Sequence, residues 1–314
     1  MTSFSVLKYN PGLKKEWDDF VEKSKNGTFL FNRNYMDYHS HRFEDHSLMF
    51  YKGGRICALL PANIIGTTVY SHSGLTYGGL IMDRRLVTED VLKIFRLIKE
   101  YYLSMGFYKL IYKPVPHIYH KLPSEEDLYA LFRNDGRIIG RNVSSTVLLS
   151  DRIRFRNIRK SGIRKAFKAD LKVDRSFDFS SFWKILENNL KKKYSSAPVH
   201  SLEEIEKLSL LFPQNIQLFS AYEAESNMVG GVVCYVTAGV AHVQYISASS
   251  FGLENGAIDL IFDYLLNTYF TGYKYFDFGT SNEDKGRFLN ESLIYQKEGF
   301  GGRAICYDIY ELEF

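Results

Sequence analysis

Long apolar runs are missing from this 314-residue sequence, in which no stretch of 18 apolar residues occurs. No segment therefore reads as a membrane-spanning helix. The opening Met-Thr-Ser-Phe-Ser-Val has neither a basic n-region nor an apolar h-region, so a cytoplasmic protein is expected, with membrane contact at most peripheral. Cysteine is scarce: Cys57, Cys234 and Cys306 each sit alone in an apolar run. Without a Cys-x-x-Cys pair they exclude a zinc ribbon or a disulfide framework and read as three buried thiols in a reducing compartment. Neither a Walker pattern nor Gly-x-Gly-x-x-Gly occurs, which argues against P-loop nucleotide hydrolysis and dinucleotide redox chemistry. Acids are absent between Arg152 and Lys168, where eight basic residues stand. The other 32 basic residues face 36 acids, so the net charge of +4 belongs to this one segment. A uniformly basic surface is excluded, and DNA is not expected as a partner.

What is present is ordinary globular material, 45% apolar and 24% charged, long enough for two domains. A helix pattern over Leu13 to Ser24 is followed by strand-like runs Ser47 to Lys52 and Ile56 to Ala62, joined by Gly53-Gly54, a hairpin signal. A Gly-, Ser- and His-rich stretch from Tyr70 to Gly79 precedes a helix from Thr88 to Met105, ended by Gly106. A strand, Tyr108 to Tyr112, stops at Pro114 and Pro116. The second half repeats this grammar. Helices are expected over Phe179 to Tyr194 and Leu202 to Leu211, and strands over Ile216 to Glu223, Met228 to Thr237 and Ala241 to Ala248. A loop, Ser249 to Asn255, leads into a helix from Gly256 to Tyr269, then strands Tyr273 to Phe278 and Ala304 to Leu312. The pattern reads as an α+β protein with a weak internal duplication, residues 1–150 and 151–314, and the basic segment at the boundary. One large α/β domain is the alternative.

The sharpest local feature is Tyr275-Phe-Asp-Phe-Gly-Thr-Ser-Asn-Glu283. A buried-looking strand delivers Asp277 and breaks at Gly279 into Ser281, Asn282 and Glu283, and strand ends are where α/β folds place ligand groups. Asp277 and Ser281 could instead bond the turn's own backbone, although a turn seldom needs all four polar residues. Lys297-Glu-Gly-Phe-Gly-Gly302 offers a cation beside a donor-rich backbone, which reads either as a phosphate cradle or as a glycine turn between strands. Arg156, Lys160, Arg164 and Lys168 recur every four residues and form one row on a helix. The row reads as a solvated face or as a patch for phosphates, enlarged by Lys191 to Lys193. His39, His41 and His46 cluster without a carboxylate or cysteine at metal spacing, and no metal is expected. His200, after Pro198 in a loop between helices, is the histidine best placed to meet an acceptor, whereas His242, within a strand, reads as packed. Tyr77, Tyr194 and Tyr245 flank polar or Gly-rich positions.

In order, Arg156-Asn-Ile-Arg159-Lys160, Tyr194, Pro198-Val-His-Ser201, Val243-Gln-Tyr-Ile-Ser247, Asp277-Phe-Gly-Thr-Ser281 and Lys297-Glu-Gly-Phe-Gly301 resemble the FemAB-like branch of the GNAT (acyl-CoA N-acyltransferase) superfamily. The similarity runs from Arg152 to the C-terminus, with a fainter echo at Ser73-Gly-Leu-Thr-Tyr-Gly-Gly79. The resemblance implies two tandem GNAT-like domains, mixed sheets flanked by helices, of which the C-terminal one is better preserved. It implies N-acyl transfer from a thioester such as acetyl-CoA, or another acyl-CoA, to an amine on a glycan or on a precursor of a bacterial cell envelope or polysaccharide. An aminoacyl-tRNA-dependent peptide ligase, with tRNA as partner, and a catalytically silent binding scaffold are the alternatives. One departure stands out. Where GNAT enzymes carry Gln/Arg-x-x-Gly-x-Gly/Ala for the coenzyme A pyrophosphate, this chain reads Ser249-Ser-Phe-Gly-Leu-Glu-Asn-Gly-Ala257. Ser250, Gly252, Asn255 and Gly256 are the positions that would hold the cofactor, but the glycines are four apart and Glu254 adds negative charge.

Acyl transfer to an amine needs a deprotonated nucleophile, a polarised carbonyl and a proton for the leaving group. No Gly-x-Ser-x-Gly elbow occurs, and no covalent intermediate is expected. The expected roles are Asp277 or Glu283 as base, Tyr245 near the leaving group and Lys297 against a phosphate. Tyr77, Tyr194, His200, Ser281 and Asn282 are expected at the substrate.

Overall fold

The computed structural model describes residues 3–192, 196–224 and 226–314, with the backbone alone at 193 and 194. The chain divides into two compact units. The first holds the chain up to Asn142 with Asn282–Phe288 and Cys306–Phe314, and the second holds Val143–Ser281 with Leu289–Ile305. The sequence reading drew the division at 150, eight residues later than the structure does, and it did not foresee the returns of the C-terminal chain to the first unit.

In the first unit, Phe4–Lys8, Leu48–Lys52, Arg55–Leu60 and Ile81–Met82 form an antiparallel sheet in that order. Gly53 and Gly54, at φ of 57° and 76°, make the tight turn of its hairpin, a conformation that side chains with a Cβ avoid. The helix Thr88–Ser104 turns Ile94, Phe95, Ile98 and Tyr102 into the core, the i, i+4 spacing of an amphipathic helix. Lys109–Tyr112 runs parallel to Thr68–Tyr70. The buried phenol of Tyr112 accepts from the Leu80 amide and donates to Asp127 of the helix Glu126–Arg133, both at 2.6 Å.

The second unit has the order Lys172–Ser176, Ile216–Tyr222, Met228–Val236, Val240–Ala248, Tyr275–Thr280 and then the end of the strand Arg137–Leu148. Every neighbouring pair is antiparallel except Val240–Ala248 with Tyr275–Thr280, which is parallel. One face of this sheet packs Phe219, Val232, Cys234, Phe276 and Phe278 against Ala166, Ile261, Phe262 and Phe270. Those partners come from the basic helix Asn157–Lys168, the helix Ala257–Tyr264 and the residues just after it. Gly162 and Gly256 let the two helices touch. A Cβ on Gly256, at φ 75°, would collide with the Gly162 carbonyl, and one on Gly162 with the Asp259 carboxylate. The helix Phe179–Tyr194 packs on the Met228–Val236 and Val240–Ala248 strands.

Three local expectations are corrected. Cys306 is exposed, not buried, because it sits on an outward position of the strand Arg303–Glu313. Ser250–Glu254 is a short helix, capped by the Ser249 hydroxyl on the Gly252 amide at 3.1 Å. Lys297 belongs to a helix, Glu291–Gly299, whose Asn290 side chain caps the Leu293 amide, so the segment is neither a cradle nor a strand turn.

Candidate functional site

The parallel pairing inside the second unit lasts only three rungs: Val240 with Tyr275, Ala241 with Phe276, and His242 with Asp277. Beyond the last rung, Val243–Ala248 and Phe278–Thr280 have no ladder partner in each other. A β-bulge between Val233 and Cys234, opposite Val243 and Tyr245, bends one strand at that point, and Gly279 at φ 76° bends the other. The helix Glu291–Gly299 brings Lys297 to the opened strand, where its Nζ donates to the Gly279 carbonyl at 2.9 Å and the Thr280 carbonyl at 2.7 Å. These contacts satisfy carbonyls that a continued ladder would have used. Burial pulls the Lys297 amine down to about 8, against an upward pull from Asp277.

Asp277 has no exposed surface. One carboxylate oxygen accepts from Ser144 Oγ at 2.5 Å, Thr146 Oγ1 at 2.8 Å and the Gly279 amide at 3.3 Å, and the other faces Nδ1 of His242 at 2.8 Å. A group so enclosed cannot touch a substrate amine. Asp277 instead holds its neighbours in place, and the geometry does not support the base role expected of it. Ser144 and Thr146 were not anticipated, because the strand Arg137–Leu148 was not foreseen. Their alternation, with Ser145 facing the other way, was the available signal.

Tyr245 and His200 form a second polar pair. The phenol lies 2.5 Å from His200 Nδ1 and accepts from the His200 amide at 3.3 Å, while Trp183 Nε1 donates to the His200 carbonyl at 3.2 Å. Burial pushes the Tyr245 hydroxyl up to about 12, so it stays protonated at neutral pH. His200, 4% exposed, anchors its loop and does not present a free imidazole to an acceptor. Ser281 is also buried, its amide donating to the Val143 carbonyl and its carbonyl accepting from the Asn290 amide.

Other anticipated residues lie elsewhere. Asn282 and Glu283 fall in the segment that counts with the first unit, and Glu283 is exposed. Tyr77 is core in the first unit, tilted on Tyr119 at 4.5 Å with its hydroxyl 3.3 Å from Thr28 Oγ1. The Tyr194 side chain lies outside the described residues. In the basic row, Lys160, Arg164 and Lys168 are exposed, whereas Arg156 lies over the Tyr295 ring at 4.5 Å and reaches Glu298 at 3.4 Å.

In the loop expected to hold coenzyme A, three of the four anticipated positions have their amides engaged within the turn. The Gly252 amide is bonded to Ser249 Oγ, and the Leu253, Asn255 and Gly256 amides to carbonyls within the turn. A Cβ on Gly252 would strike the Val229 carbonyl. Both glycines are thus explained by close packing rather than by a ligand. Beside this turn lies a cleft of about 380 Å³, walled by Leu186, Leu190, Ile246, Leu253, Ile258 and Leu293 with Asn189, Asn290 and Gln296 among them. Ile246, Leu293 and Gln296 also line a smaller apolar space of about 20 Å³ next to Lys297, floored by Phe262, Phe278 and Phe300. The cleft therefore leads to the opened strands. Among the described residues no group of three His, Cys, Asp or Glu could hold a metal ion, and no helix is long and apolar enough to cross a membrane.

No protein-family model and no curated protein matches the sequence. Solved structures do match. FemX aligns over 99% of this chain and 97% of its own, at 11% identity and a TM-score of 0.68. L-PGS from Bacillus licheniformis aligns over 98% and 92%, at 12% identity and a TM-score of 0.64. A tandem GNAT protein from the clavulanic acid biosynthesis pathway aligns over 99% and 98%, at 10% identity and a TM-score of 0.52. This chain therefore has the tandem GNAT-like fold of the FemX type, an α+β arrangement of mixed sheets flanked by helices.

Proposed function

We propose that this protein is an N-acyltransferase that moves an acyl or aminoacyl group onto an amine of a glycan or cell-envelope precursor. The observation that carries the reading is the parting of the two parallel strands after His242 and Asp277, with Lys297 bonded to the freed carbonyls. Edge amides of Val243–Ser247 can hold a donor carbonyl. The acceptor amine, arriving neutral, attacks its carbon, the bond to the leaving oxygen or sulfur breaks, the proton that the nitrogen sheds passes through water to that leaving atom, and the Lys297 ammonium opposes the oxyanion charge that develops. Asp277 fixes the ring of His242 from behind. Tyr245, protonated at neutral pH, sits on the bulged strand with a proton to share.

The donor is the finer question. A specific observation favours an aminoacyl ester carried on tRNA over acetyl-CoA: of the four positions that would hold a pyrophosphate, Gly252, Asn255 and Gly256 have their amides already bonded within the turn after Ser249. The exposed cations Lys160, Arg164 and Lys168 suit a phosphodiester backbone. The test offers the purified chain a radiolabelled aminoacyl-tRNA pool or radiolabelled acetyl-CoA, each with amino-sugar and peptide-amine acceptors. Label transfer from the aminoacyl pool is expected. Transfer from acetyl-CoA alone would reverse the donor assignment, and transfer from neither would leave the silent-scaffold alternative.

A further inference from the structure

The cleft beside the opened strands is unusual in its charge. Twelve side chains line it, and among the described residues none of them is ionisable. Its polar members are largely engaged. Asn189 Nδ2 donates to Ser247 Oγ at 2.7 Å and to the Ala248 carbonyl at 2.8 Å, and Asn290 Oδ1 accepts from the Leu293 amide and Ser292 Oγ. Of the apolar members, Leu186 and Ile258 are buried, but Leu253 is 55% exposed and Ile246 36%. Surface of this kind, gathered in a concavity instead of scattered, marks a place where an apolar ligand group is expected.

From this wall we infer that the group lodged in the cleft is uncharged and aliphatic, so the protein selects a neutral acyl or aminoacyl moiety and rejects a lysyl or glutamyl one. A side-chain ammonium or carboxylate placed there would lose water and meet no opposite charge from the twelve lining residues, and Lys297 in the adjoining space is turned to the Gly279 and Thr280 carbonyls. This rests on the transferase reading for what the group is, but not for what the cleft will hold. Discrimination here comes from leaving the wrong ligand's charge unpaired, a repulsive element built from absences.

The experiment uses three probes of equal chain length: pentanamide, n-pentylammonium and pentanoate. Each is titrated at millimolar concentration into the full chain, and the methyl resonances of Leu190, Ile246 and Leu253 are followed by NMR. Pentanamide is expected to shift those methyls with a Kd at least about tenfold below that of either ion. Leu253→Glu, at a half-exposed position where folding is spared, is expected to make n-pentylammonium the better ligand. The inference is overturned if an ion binds as tightly as the amide in the unaltered chain, or if none of the three shifts those methyls. A chain that binds pentanamide but transfers no acyl group would fail the transferase reading and leave this one standing. A transferase active on lysyl donors would do the reverse.

Discussion

Nδ1 of His242 lies 2.8 Å from the carboxylate of Asp277 on the last rung before the two parallel strands part. The pair closes the end of the ladder with side chains where backbone pairing stops. Asp277 also gathers Ser144, Thr146 and the Gly279 amide, so one buried carboxylate ties three strand segments together. Asp277→Asn keeps the volume but turns one acceptor into a donor facing other donors. It is expected to lower stability by about 2 kcal/mol, the scale of hydrogen bonds to a charged group. Urea unfolding of the two proteins measures this. A change within about 0.5 kcal/mol would mean that the carboxylate does not organise the rung.

Lys297 carries a second expectation, about pH. Burial holds its amine near 8, so the ammonium is present below that pH and is lost above it. A transfer reaction that uses the positive charge should have kcat/KM declining as pH rises through about 8, and Lys297→Met should be slow with that limb absent. Lys297→Arg keeps the charge at all accessible pH values and separates charge from fit. The linked effect on stability has the opposite sense. The folded value lies below the unfolded 10.5, so stability rises with pH between about 8 and 10.5.

Gly252 separates packing from cofactor binding. A Cβ there meets the Val229 carbonyl, which is backbone and cannot step aside. Gly252→Ala is therefore expected to destabilise the fold by about 1 to 3 kcal/mol, as overpacking does. Ser250→Ala, at an exposed position beside it, should change the melting temperature little. If both variants fold normally and lose only donor affinity, the loop is a ligand cradle after all.

Much of the fold was legible because its signals are local. Gly53-Gly54 marked the hairpin, and the apolar spacing from Ile94 to Tyr102 marked the long first-unit helix, which Gly106 ends at φ 81°. Of the basic row, Lys160, Arg164 and Lys168 fall on a helix and Arg156 is the extended residue just before it. The site was harder to read because its parts are distant in sequence. Asp277 looks like a catalytic carboxylate until Ser144 and Thr146, more than 130 residues away, enclose it. Lys297 lies among glycines that suggest a turn, yet Asn290 starts a helix there by capping the Leu293 amide. Gly252 and Gly256 resemble a cofactor loop in composition, and only the collisions that a Cβ would make with Val229 and Gly162 reveal them as packing positions.

Asp127 gives the first unit a pH signature of its own. Its carboxyl is buried against the Tyr112 phenol, and burial raises it from 3.8 to about 7. The folded protein thus holds a proton that the unfolded chain releases near pH 4. Its contribution is fully present below that pH and falls away as pH climbs to about 7, after which it is flat. Three pH units at 1.36 kcal/mol each make the full swing on the order of 4 kcal/mol. Buried His72 works in the other direction over part of this range, since burial lowers it from 6.5 to about 3. The informative quantity is therefore the difference between the unaltered protein and Asp127→Asn, which cannot titrate but can still accept from Tyr112. That difference should shift steadily in favour of the Asn variant from pH 4 to pH 7, and a pH-independent offset would show that Asp127 is ionised in the fold throughout.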